Sequence, residues 1–201
     1  MKDTHETTEN EGTTKAIIFR AAAKLFAEKG YNGVSMREIS LQSRVTKPTI
    51  YYYFGNKEGI YKTLIKEALA YDTEDLKQIA DLNIPVKQKL VELMKRRFQL
   101  SLRHPELTKF MLEVFNHYGN LPFLDGFKKE VESHAKIFID MIQNGIDSGE
   151  FGASARPELV AHVIGGVLMH FLMDQLNNRE QILSDQLAED IIELLFKGLN
   201  E

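Results

Sequence analysis

The sequence predicts an all-α protein of about nine helices, a small three-helix N-terminal unit followed by a larger helical body. Two observations carry this. From Ile18 onward apolar residues recur every three or four positions, the period of a helix with one buried face. The breakers then fall between periodic segments: Asn83-Ile84-Pro85, His104-Pro105, Gly119-Asn120-Leu121-Pro122, Ser148 to Gly152, Arg156-Pro157 and Asn177-Asn178. No apolar/polar alternation bounded by turn pairs signals a strand. The expected division is a disordered tail over 1–12, a three-helix unit over 13–56 and a helical body over 57–201.

Residues 1–12 lack apolar periodicity, and Thr13 or Thr14 is the expected cap of the first helix. Ile18, Ala21, Ala22 and Leu25 then form an i, i+3, i+4, i+7 stripe that stops at Gly30. Tyr31-Asn32-Gly33 makes the turn. Ser35 with Glu38 three residues on fits a capping box opening a second helix, whose Met36, Ile39 and Ser40 face the first. Thr46 is placed to cap the third, and Pro48 falls in its first turn, where a missing N–H costs little.

Composition narrows the chemistry. The chain has 201 residues, 43% of them hydrophobic, and no cysteine, which excludes disulfides, thiolate metal sites and cysteine nucleophiles. No segment reads as a signal peptide, so a cytoplasmic location and no membrane partner are expected. The net charge of −4 is unevenly spread. Residues 13–66 hold ten Lys/Arg against Glu28, Glu38 and Glu58, a net of +7, while 1–12 carry −3 and 67–201 carry −8. A basic head on an acidic body suits a polyanion-binding unit on a body that avoids the polyanion.

The basic and aromatic run Thr46-Lys47-Pro48-Thr49-Ile50-Tyr51-Tyr52-Tyr53-Phe54, followed by Asn56-Lys57-Glu58, reads as the DNA-contacting half of a helix-turn-helix. Together with Ala23-Lys24-Leu25-Phe26, Lys29-Gly30-Tyr31 and Val34-Ser35-Met36-Arg37-Glu38-Ile39, it resembles the DNA-binding domain of TetR-family transcriptional repressors. The helix order downstream fits the family's C-terminal half by architecture alone. Two positions depart from the family's pattern: Arg44 stands in the turn before the third helix, and Pro48 within that helix, where glycine is common in the family. A positive φ at Arg44 would cost about 1 kcal/mol.

Lys47 can reach a guanine edge or a phosphate, and Pro48 and Thr49 offer apolar contact to a thymine methyl. Thr46 lies with them. Tyr51, Tyr52 and Lys57 resemble phosphate-binding residues of the family, which position the protein rather than read sequence. Ser35 and Arg37 at the second helix's start are further phosphate candidates. Phe54 is expected in the core.

Leu159 to Met173 is apolar nearly all round, which implies burial on more than one side, and as a 15-residue run it is expected to be too short to span a bilayer. Val163, Gly166, Val167 and His170, with Leu187, Ile191, Leu194 and Leu195 of the last helix, are the expected four-helix homodimer interface. The resemblance implies the same dimer, presenting paired recognition helices to a palindromic operator on double-stranded DNA.

The resemblance also implies a small-molecule effector. Its expected site is lined by Phe98, Leu102, Phe110, Met111, Phe115, Phe138, Met141 and Phe171, with His117, Tyr118 and His170 as polar groups, and suits a lipophilic or aromatic ligand. No cofactor or metal is expected: His162 and His170 are eight residues apart, too far to share a helical face as ligands, and no cysteine joins them. No phosphate loop, Gly-x-Ser-x-Gly elbow or His-Glu-x-x-His pair suggests an enzyme. The expected function is a ligand-released repressor. Two alternatives stay open: an effector-binding interaction module without DNA binding, and an activator or corepressor-dependent regulator.

Overall fold

The computed structural model describes residues 3–116, 126–152 and 154–199. Among these there are nine α-helices and no strand: α1 (Asp3–Lys29), α2 (Met36–Ser43), α3 (Lys47–Phe54), α4 (Lys57–Ala80), α5 (Val86–Arg103), α6 (Pro105–Asn116), α7 (Lys128–Asp147), α8 (Pro157–Asn177) and α9 (Asp185–Leu199). The expected breakers separate α4 from α5, α5 from α6, α7 from α8 and α8 from α9.

Helical backbone begins at Asp3, ten residues before the cap expected at Thr13. Glu6, Glu9 and Glu11 have good helix propensity and sit at the end of a helix that favours negative charge. The predicted stripe of α1 is buried, with Ile18 and Ala22 fully enclosed. Gly30, at φ +66°, ends the helix by donating its N–H to the Phe26 carbonyl at 2.9 Å.

Two apolar clusters hold the chain together. The first joins Ile18, Phe26, Ile39, Ile50 and Phe54 of the head to Ile60, Tyr61, Leu64 and Ile65 of α4, and to Phe110 and Val114 of α6. The second joins Leu76 and Ile79 of α4 to Leu90, Phe98, Met141, Ile164, Leu172 and Ile192 of the body. α4 runs through both clusters and mechanically links head to body.

The far end of α4 is held by charge. Arg97 of α5, whose side chain is 10% exposed, reaches Asp75 through Nη1 and Asp72 through Nη2, both at 2.7 Å. Arg96 reaches the other oxygen of Asp75 at 2.7 Å, and Nε2 of His134 on α7 lies 2.6 Å from Asp72. One network thus ties α4 to α5 and α7. At the base of the body, Glu150 accepts the Val86 and Lys87 N–H groups at 2.9 and 3.1 Å, capping α5 from a distant loop.

Gly145 of α7 lets that loop close. A Cβ there would lie 2.4 Å from the Phe151 ring and 3.2 Å from Val86 Cβ. Since Phe151 is itself buried against Phe196, with ring centroids 4.7 Å apart, it has little room to yield. Gly145→Ala is expected to destabilise the fold by about 2 kcal/mol, read as a lower denaturation midpoint in urea; an unchanged midpoint would contradict this packing.

Candidate nucleic-acid interface

Ser35 opens α2 with the predicted capping box. Its hydroxyl oxygen accepts the Glu38 N–H at 3.2 Å while Glu38 accepts the Ser35 N–H at 2.8 Å. Lys29 also donates to Glu38 at 2.7 Å. That bond, then those from the Ser35 hydroxyl and N–H, pull the Glu38 carboxyl down to about 2. The box therefore stays intact to low pH. Ser35's hydroxyl is committed to it, whereas Arg37 in the first turn of α2 is exposed.

α3 divides its residues cleanly. Ile50 and Phe54 are buried, as expected of Phe54, while Tyr51 and Tyr52 are 48% and 78% exposed. Thr46, Lys47 and Pro48 are exposed and Thr49 is half-buried. Thr46 occupies the N-cap position but caps nothing with its side chain. Its hydroxyl pairs instead with that of Thr49 at 2.8 Å, one turn along the helix. With Pro48 supplying no N–H, the first turn has one donor fewer to cap.

Lys57 has an internal role that the sequence did not reveal. Its ammonium donates to the Tyr31 carbonyl at 2.9 Å and lies 4.3 Å from the centre of the Tyr31 ring. It fastens the start of α4 to the turn after α1, with further N–H donors left over. Asn56 caps the same helix by accepting the Gly59 N–H at 2.8 Å.

Arg44 is in the left-handed region, at φ 56° and ψ 26°, and is the one non-glycine residue with positive φ among the described residues. The departure noted in the sequence is thus accommodated by strain rather than by a different turn.

Among the described residues, those expected to line an effector site divide between the two apolar clusters and the surface. Phe98 and Phe171 meet in the body cluster with ring centroids 6.4 Å apart, and Phe138 and Met141 join them. Phe110 and Met111 belong instead to the head cluster, where Phe110 packs edge-on against Tyr61 at 5.2 Å. Leu102 and Phe115 are exposed, as is His170. His117 and Tyr118 lie outside the described residues. Two cavities are lined by none of these: a groove of about 670 Å³ bordered by Ile17, Arg20, Lys24, Gln42, Lys109 and Leu176, and one of about 400 Å³ beside Pro85, Lys87, Glu150 and Phe196. A large apolar side chain on a buried helix face has the same sequence signature whether it lines a pocket or fills the core.

α8 runs for 21 residues, six more than the apolar run, and by length and composition alone it could cross a membrane. In the fold one face packs on α5, α6 and α7, burying Val160, Ile164 and Leu172. Leu159, Val163, Gly166, His170 and Met173 form an exposed stripe on another face, and Leu194 of α9 is 72% exposed. Ile191, expected at an interface, is buried in the chain's own core, with Leu187 and Leu195 packed beside it.

A basic three-helix head with an outward aromatic recognition helix, carried on a helical body, defines a helix-turn-helix transcriptional regulator. Residues 18–64 match the family model for bacterial regulatory proteins of the tetR family. The match lies in the head of the chain, which is thus similar to the DNA-binding domain of those regulators. The chain is 25% identical over 183 residues to the fatty acid metabolism regulator protein of Bacillus subtilis, covering 91% of this chain and 94% of the relative. It is 24% identical over 143 residues to the transcriptional repressor KstR2 of Mycolicibacterium smegmatis, covering 71% and 67%. The crystal structure of Bacillus subtilis FadR in complex with stearoyl-CoA superposes with a TM-score of 0.77 at 26% identity, covering 91% of this chain and 98% of that one.

Proposed function

We propose that the protein is a homodimeric repressor that binds a palindromic operator and is released by a lipophilic effector of the acyl-thioester class. The observation that carries the DNA half is the outward placement of Tyr51 and Tyr52 beside Lys47, on a helix whose other face is buried. Two aromatic hydroxyls and an ammonium on one short exposed helix suit phosphates and base edges. Ser35, Arg37, Thr46, Pro48, Thr49 and Lys57 complete the expected contact set. The apolar stripe of α8 with Leu194 favours a second copy as its cover, because a two-fold axis would turn the same stripe on itself.

The effector class is inferred from the FadR complex and from the body core. The Ser101 hydroxyl there is buried without a hydrogen-bond partner among the described residues, one turn from Phe98. A polar group in an apolar region is what orients a lipophilic ligand. Binding would act through α4, the helix shared by both clusters, by changing its tilt and moving the paired heads out of register. The site of action is the cytoplasm.

Fluorescence anisotropy with a duplex from upstream of the protein's own gene tests both halves. If each protomer neutralises about four phosphates, affinity falls by several orders of magnitude between about 50 and 200 mM salt. Lys47→Ala is expected to weaken binding about 10- to 100-fold, and Tyr52→Phe about 10-fold, with unfolding midpoints unchanged. A long-chain acyl-CoA should weaken the wild-type complex some 5- to 150-fold. A duplex bound equally by wild type and Lys47→Ala would favour the interaction module, and tighter binding with acyl-CoA would favour a corepressor.

A further inference from the structure

The turn between α2 and α3 is clamped from both sides. The Ser40 hydroxyl donates to the Val45 carbonyl at 2.6 Å. The buried Ser43 hydroxyl donates to the Ile39 carbonyl at 2.7 Å and accepts the Val45 N–H at 3.3 Å. Between these anchors Arg44 has no conformational choice, so the left-handed geometry is imposed by its neighbours rather than adopted by its own preference. Glycine would occupy that position without a Cβ penalty, and asparagine with less of one than arginine. Arginine brings the penalty and nothing inside the chain to offset it: the side chain is exposed and makes no hydrogen bond or ion pair with the described residues.

The position lies three residues before Lys47 and two before Thr46, both exposed at the start of the recognition helix. We propose that Arg44 is a DNA-backbone contact, its guanidinium binding an operator phosphate from the helix-turn-helix corner, so that a strained residue is kept for its charge. This rests on the DNA-binding reading of the head. The guanidinium's planar fork of donors matches two phosphate oxygens at once, and such a contact fixes docking without reading sequence. Arg44 is thus a positioning residue for operator recognition.

Four variants of the full chain separate charge from strain, using anisotropy against the upstream duplex over a salt series and thermal unfolding. Arg44→Gly and Arg44→Ala should each weaken binding about tenfold and lower the slope of log affinity against log salt by about 0.9 per protomer bound. Arg44→Lys should keep the wild-type slope. Stability should sort the variants differently: Arg44→Gly melts at or about 2 °C above wild type, whereas Arg44→Ala and Arg44→Lys, which keep the Cβ, do not gain. Lys24→Ala, which removes an exposed head charge from the groove side, should leave the slope unchanged and so exclude a net-charge effect. The proposal is overturned if Arg44→Ala keeps the wild-type slope, if Arg44→Lys loses as much as Arg44→Ala, or if Lys24→Ala loses the same. A wild-type protein that shows no salt-dependent binding while Lys47→Ala matches it would instead remove the underlying DNA-binding reading, and this proposal with it.

Discussion

Arg97→Met is expected to lower the free energy of unfolding by about 3 kcal/mol in urea denaturation near neutral pH. Arg97 is nearly enclosed, and its two nitrogens answer one carboxylate oxygen each on Asp72 and Asp75, whose side chains are 31% and 12% exposed. Removing the guanidinium leaves Asp75 with Arg96 alone and Asp72 with His134 alone. Losing one partner of a buried network costs more than the network is worth, because the desolvated charges stay behind. The double variant Arg97→Met/Asp75→Leu should therefore recover much of the loss. If the double variant were as unstable as the sum of the single ones, the charges would not be coupled as the geometry requires.

The same network sets an acid dependence. Burial alone would push the Asp72 carboxyl up, but the hydrogen bond from His134 and the Arg97 charge together bring it below the ordinary value of 3.8. A carboxylate depressed in the folded state contributes stability that is fully present above its unfolded pKa and is lost as pH falls through the folded one. The wild-type stability profile should thus decline from about pH 4 downward, and in Arg97→Met this part of the decline should flatten. Because these groups pin the end of α4 away from the head, they also define the point about which a tilt would pivot.

Periodicity made the helices legible, and the capping box at Ser35 and Glu38 was legible to the residue, because both are local: partners lie within one turn of each other. Phe54 is buried as expected, and Ile50, four residues earlier on the same helix face, is buried with it. What the sequence concealed were pairings across long separations. Lys57, expected as a phosphate contact, also donates to the Tyr31 carbonyl, 26 residues away. Asp72 and Asp75 pair with Arg96 and Arg97 more than twenty residues away, and nothing local marks them as mutual partners. Phe110 serves the joint between head and body while Phe98 serves the body, and both are equally apolar in the sequence.

That joint carries the other large expected effect. Phe26 of α1 is 1% exposed, and its ring meets Tyr61 of α4 edge-on at 4.9 Å, Tyr31 stacked at 6.1 Å and Phe110 of α6 at 6.3 Å. Burial, then the charges of Glu113 and Tyr31, push the Tyr61 hydroxyl up to about 12, as expected of a ring deep in an apolar joint. Phe26→Ala would leave a cavity among three aromatic rings from three separate segments, and is expected to cost about 4 kcal/mol, against about 1 kcal/mol for Phe26→Leu. The chain has no tryptophan, so circular dichroism at helical wavelengths is the suitable probe. A functional consequence separates joint from ordinary core. At a temperature where Phe26→Ala is still folded, the head should bind DNA with little loss, because Lys57, through Tyr31, is the one expected contact residue shown against a ring that borders the cavity. The effector, however, should shift operator affinity less than in wild type, since the proposed tilt of α4 would reach the head through these rings. Equal loss of DNA binding and of effector response would show that Phe26 merely holds the head together, and an unfolding cost below about 1 kcal/mol would show that the joint can collapse around the gap.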